Sequence, residues 1–158
     1  MAATLHALLF APAPGEDLAV VATGLVLLPL TPAIVESVMD GPGETFVPGF
    51  YDLGVNVAEW ARQRSKGGPV AYVHCEFFGG HGFHAAMGWR GGEAAWGPSF
   101  TATAAGEAED HYVVAPPRPD RAINAVLRWL GVDRGAAIDE FAAAGLDRFR
   151  STEDWVST

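Results

Sequence analysis

Two glycine pairs constrain this chain more than anything else in it. Residues 71–89, AYVHCEFFGGHGFHAAMGW, place two strand-like runs on either side of Gly79-Gly80. Arg90-Gly91-Gly92-Glu93 then turns the second run into a third at residues 94–96. Apolar runs at period two, joined by glycine turns, read as a three-stranded antiparallel meander.

The pleat separates the residues of such a hairpin into two sets. Ala71, Val73, Cys75 and Phe77 form the apolar set of the first run; Phe83, Ala85, Met87 and Trp89 form that of the second. Directly paired residues share a face, so joining the two apolar sets requires odd-with-odd pairing. The simplest register sets Phe77 against Phe83 and leaves residues 78–82 as the loop. It puts His74, Glu76, His84, Arg90 and Glu93 on one non-core face, with Cys75 pointing the other way. A two-residue turn at Gly91-Gly92 sets Glu93 opposite Arg90 and sends Trp96 to the core side with Met87.

Elsewhere the pattern alternates between strand and helix. Residues 5–10 and 18–28 read as Leu- and Val-rich strands buried on both faces and paired with each other. Thr31-Pro32 is a helix start, a capping hydroxyl followed by proline at the first helical position. Ile34, Val35, Val38 and Met39 supply its apolar face. A second helix is expected from Asp52, carrying Leu53, Val57, Trp60 and Ala61 and ending at Gly67-Gly68-Pro69. Its Arg62, Arg64 and Lys66 read as a solvated face. Residues 99–103 suggest a strand, followed by an acidic loop with Glu107, Glu109 and Asp110. Ile123, Val126, Leu127 and Leu130 mark the clearest helix. A last one is expected over 136–144, burying Ile138 and Phe141, with Phe149 and Trp155 as anchors in the tail. The sum is one α+β domain over residues 1–158, a mainly antiparallel sheet with a three-stranded meander packed against about four helices.

With 49% hydrophobic and 18% charged residues in 158, the chain has the apolar content for a real core. Its net charge of −9 repels phosphate backbones and argues against nucleic-acid binding. The single cysteine excludes an intramolecular disulfide and fits a reducing, cytoplasmic setting. The N-terminus lacks the basic region of a signal peptide. The longest apolar stretch, residues 18–30, contains Gly24 and Pro29 and is too short to span a membrane.

The concentration of His74, Cys75, Glu76, His81 and His84 raises the question of chemistry. His74-Cys75-Glu76 matches the H-x-E half of a zinc deaminase signature, but the P-C-x-x-C half needs cysteines this chain lacks. Gly80-His81-Gly82-Phe83-His84-Ala85 fits G-x-G-x-x-A, yet Gly88 and Gly91-Gly92 interrupt the helix a dinucleotide fold would need next. H-E-x-x-H, P-loop and G-x-S-x-G motifs are absent. His74, Glu76 and His84 are a possible donor set for a divalent metal, set against a plain cross-strand charge pair. No other cofactor and no catalytic residue is indicated. Cys75 reads as a small buried hydrophobe. Glu76, Gly79, Gly80, His81 and Arg90 are the candidate binding residues, the glycines as turn formers or as backbone donors to an anion.

Glu76-Phe77-Phe78-Gly79-Gly80, the following Ala85-Ala86 and Trp89, INAVLRWLGV and DEFAAAGLDRFRSTEDW resemble a group of small, largely uncharacterised actinobacterial proteins. The likeness runs from about Gly68 to Trp155. Such proteins are similar in size and acidity to immunity proteins, which neutralise bacterial toxins. The resemblance thus implies a protein-binding module with a protein partner, a toxin in the immunity case, and assigns no catalytic residue. The hairpin's non-core face and the acidic loop at 107–110 are its candidate surfaces. The alternative is a small metal-dependent enzyme or small-molecule binder using His74, Glu76 and His84. A homodimer through exposed aromatics is compatible with both.

Overall fold

Apolar runs near the N-terminus and in the middle of the chain assemble one sheet. In the computed structural model, residues 3–12, 19–20, 24–39, 45–50, 53–78, 81–102 and 121–156 are described. The strands are β1 (Ala3–Phe10), β2 (Ala19–Val20), β3 (Val26–Pro29), β4 (Val70–Phe78), β5 (His81–Arg90) and β6 (Glu93–Ala102). They lie in the order β2-β3-β1-β4-β5-β6, each antiparallel to its neighbour. The helices are α1 (Pro32–Val38), α2 (Val55–Arg64), α3 (Ala122–Trp129) and α4 (Glu140–Ala143). The α+β class, the meander and the β1–β3 pairing are as the sequence implies. The expected second strand is instead split into β2 and β3, and the strand expected over 99–103 is the end of β6. Residues 103–120, including the acidic loop, lie outside the described residues.

Helices cover both faces of the sheet. Leu5, Ala7, Leu9, Ala71, Val73 and Cys75 pack beneath α3 and the C-terminal segments, where Ile123, Val126, Leu127 and Leu146 are buried. Leu8, Phe10, Val70, Tyr72, Ala85 and Trp89 face the other way, against Leu53, Val57 and Ala61 around α2 and Met39 beyond α1. The architecture is a three-layer sandwich around an antiparallel sheet.

That arrangement overturns the expected hairpin register. β4 and β5 pair Val70 with Trp89, Cys75 with His84 and Phe78 with His81, leaving only residues 79 and 80 between the strands. Odd residues therefore pair with even ones. The pleat argument assumed a single apolar face; with both faces covered, neither alignment exposes an apolar set, and a two-residue connection suits the natural strand twist. Among the hairpin residues whose side chains are described, both faces contribute to a core.

The next turn conforms to expectation. Arg90 pairs with Glu93, and Gly91 and Gly92 both adopt positive φ (63° and 84°), as a two-residue turn of this kind requires. Ser65, at the end of α2, holds the turn: its carbonyl accepts from Gly91 N–H at 2.9 Å and its hydroxyl from Gly92 N–H at 3.0 Å. The β5–β6 register then shifts around Gly88, which pairs with Trp96. Trp96 consequently packs on the α3 side and Met87 on the α2 side, not together as the simple register implied.

Gly88 lies directly under Trp129 of α3. A Cβ there would stand 2.6 Å from the indole Cζ3 and 2.8 Å from Cη2. Gly88→Ala forces α3 and the sheet apart locally and is expected to cost about 1–3 kcal/mol. Urea denaturation of the variant checks this; unchanged stability would mean that the indole swings away freely.

Local capping decides the helix ends. The Thr31 hydroxyl accepts from Ile34 N–H at 3.3 Å, with Pro32 opening α1. α2 starts at Val55 rather than at Asp52, which lies outside the described residues. The last helix is shorter than expected because Asp139 caps it, its carboxylate accepting from Ala142 N–H at 2.9 Å. Ile138 thus precedes the helix and is 85% exposed instead of buried. Phe149 and Trp155 anchor the tail edge to face, with ring centroids 4.7 Å apart. Among the described residues no helix is long and apolar enough to cross a membrane.

Candidate functional site

Pairing of β1 with β4 sets His6 directly opposite His74 on the α1/α2 side of the sheet. Their ring centroids are 5.2 Å apart. Each ring is also held edge-on by an aromatic neighbour, His6 by Tyr72 and His74 by Phe83, at 5.4 Å in both cases. Backbone contacts fix His6 further. Its N–H donates to the Thr152 hydroxyl at 3.0 Å, and its carbonyl accepts from Leu30 N–H at 2.8 Å. The Thr152 hydroxyl in turn donates to the Thr4 carbonyl at 3.4 Å, so the C-terminal segment is tied to β1 beside the two imidazoles.

The pair borders a cavity of about 500 Å³ between the sheet, α1 and α2. Buried Leu30, Val57, His74 and Thr152 form its depth, while Glu36, Phe46 and Glu153 are exposed around its opening. Asn56 lines it as well and separates it from a second hollow of about 370 Å³ along α1 and α2, where Trp60 and Met39 lie. An apolar cavity with a few convergent polar groups is the usual form of a small-molecule site. Each neutral imidazole offers one donor and one acceptor, and the Asn56 amide offers both.

The sequence-derived candidates are only partly gathered here. His74 lines the cavity, and half-buried Glu76 is on the same side of the sheet, paired with Thr4. His84 is not with them. It faces α3, opposite Cys75 on one side and Thr101 on the other. The expected metal set of His74, Glu76 and His84 is therefore divided by the sheet, a direct result of the one-residue difference in register. Among the described residues no group of three or more His, Cys, Asp or Glu side chains is placed to hold a metal ion.

Cys75 and His84 share a face after all, contrary to the expectation that the histidines would point away from the thiol. Burial pushes the Cys75 thiol up to about 12, only partly offset by a hydrogen bond from the backbone at Leu5. Burial pushes His84 down to about 3, helped by the positive charge of Arg121. Both groups are neutral at ordinary pH, so the thiolate that cysteine chemistry requires does not form.

The candidate binding set is also dispersed. Gly79 and Gly80 lie outside the described residues. His81 begins β5 and Arg90 ends it, separated by about 30 Å of extended chain. The Arg90 guanidinium stacks 4.7 Å from the Trp129 ring centroid. His6 went unnoticed in the sequence, where it is one polar residue in a Leu-rich strand; its role depends on the strand it pairs with.

No family model matches the chain, and neither does any curated protein or solved structure.

Proposed function

We propose that this protein is a small-molecule binder whose ligand occupies the cavity between α1, α2 and the β1–β4 face of the sheet. The observation that carries this reading is the paired His6 and His74 rings at the border of a 500 Å³ apolar cavity. A ligand there gains two orientable hydrogen-bonding groups from the adjacent imidazoles. This is the binder half of the alternative drawn from the sequence, with His6 in the position expected of His84.

Imidazole Cε1–H signals provide the test. In a fragment screen by NMR, fragments that bind are expected to shift the His6 and His74 resonances and leave that of His84 in place. His84 lies across the sheet and serves as the internal control. Binding that never perturbs His6 or His74 would overturn the reading.

A protein partner of the immunity type is the second reading. It is favoured by Phe46 and Val55, each 46% exposed, on a chain of net charge −9. Apolar anchors on an acidic protein suit a basic partner, whose association would weaken with salt. His74 and His84 of the expected hairpin face are buried, so in this reading the contact falls on the α1/α2 side, where Phe46 and Val55 are exposed.

A further inference from the structure

Resting on the small-molecule reading, we infer that the ligand class is an organic cation with an apolar body, a primary or substituted amine. Among the described residues that line the cavity the charges are one-sided: two carboxylates, Glu36 and Glu153, and no lysine or arginine. Both carboxylates are exposed at the opening. Glu76 adds a third on the same side of the sheet, next to Thr4 of the lining. Phe46, also at the opening, offers an aromatic face, which attracts cations and not anions.

The deeper part is suited to the remainder of such a molecule. Leu30, Val35 and Val57 give it apolar walls. The imidazoles of His6 and His74 accept hydrogen bonds in their neutral form, so they need not oppose a cationic ligand. A carboxylate or phosphate ligand would instead approach past two glutamates, on a protein whose net charge already repels it. The −9 charge also concentrates cations near the surface, which favours their capture at low salt.

The test compares three probes of one shape, 2-phenylethylamine, 2-phenylethanol and 3-phenylpropanoate, by calorimetry and by the histidine NMR signals at pH 8. The amine is expected to bind about tenfold tighter than the alcohol, with the carboxylate weakest, and added salt should narrow the gap. Glu36→Gln combined with Glu153→Gln should remove most of the amine's advantage. Both side chains are exposed, and unchanged affinity for the alcohol would show that the cavity survives. Equal binding of all three probes, or preference for the carboxylate, would overturn the cation assignment and leave the small-molecule site standing. Binding of none of them would count against the site itself.

Discussion

Leu8→Ala and Leu9→Ala are each expected to lower the unfolding free energy by about 2–5 kcal/mol. The two residues are sequence neighbours on β1, and both are fully buried, at 0% exposure. Their side chains project to opposite faces, Leu9 among the residues under α3 and Leu8 among those under α2. In a sheet with one solvated face, one of the two would be nearly free to replace. Here neither is. For a chain of this size each variant should melt roughly 5–15 °C below the parent, by about 2–4 °C per kcal/mol. Because the two residues are adjacent on one strand and share its backbone, any departure of the double variant from the sum of the single losses measures how far the two faces are coupled. Chemical denaturation of the three variants checks this, and a loss below 1 kcal/mol at either position would refute the three-layer arrangement.

Acid should destabilise the protein through His84. Its imidazole takes up a proton at about 3 when folded, against an ordinary value of 6.5, because burial disfavours the cation. Between those values the unfolded chain carries a proton that the folded chain does not. Stability therefore falls as pH falls through this window, by about 1.4 kcal/mol per pH unit, or about 3 kcal/mol between pH 7 and pH 4. His84→Leu removes that term and keeps the apolar surroundings filled. Urea midpoints of both proteins at pH 7 and pH 4 isolate it, since the carboxylates titrate in each. If the variant loses as much stability as the parent, the imidazole is not held neutral by the core. Its position under α3 also explains why a histidine that looked like a metal ligand has a structural place instead.

Where a residue's role depended on its immediate neighbours, the sequence was a sound guide. Thr31-Pro32 starts a helix because a hydroxyl and a fixed φ act on the next turn alone. Gly91-Gly92 sets the Arg90–Glu93 pairing because the turn itself demands positive φ. The apolar stripe of α3 buries Ile123, Val126 and Leu127 as its periodicity implies. The start of the last helix, by contrast, is misplaced by the apolar pattern, whereas the Asp139 cap leaves Ile138 outside the helix.

What the sequence alone determined, then, was the class of the fold, the start of α1, the buried stripe of α3 and the tight β5–β6 turn. The last three are governed by local sterics, local hydrogen bonds and periodicity. The tertiary structure decided which way each strand faces. A pleat distinguishes two sides but does not say what lies over them, and with helices on both, the β4–β5 register moved by one residue and exchanged the faces of His74 and His84 relative to each other. It also brought His6 against His74, since β1 reaches β4 only through the assembled sheet. The cavity belongs to neither strand: its walls come from β1, β4, both N-terminal helices and the tail, and such convergence exists only once the layers have packed.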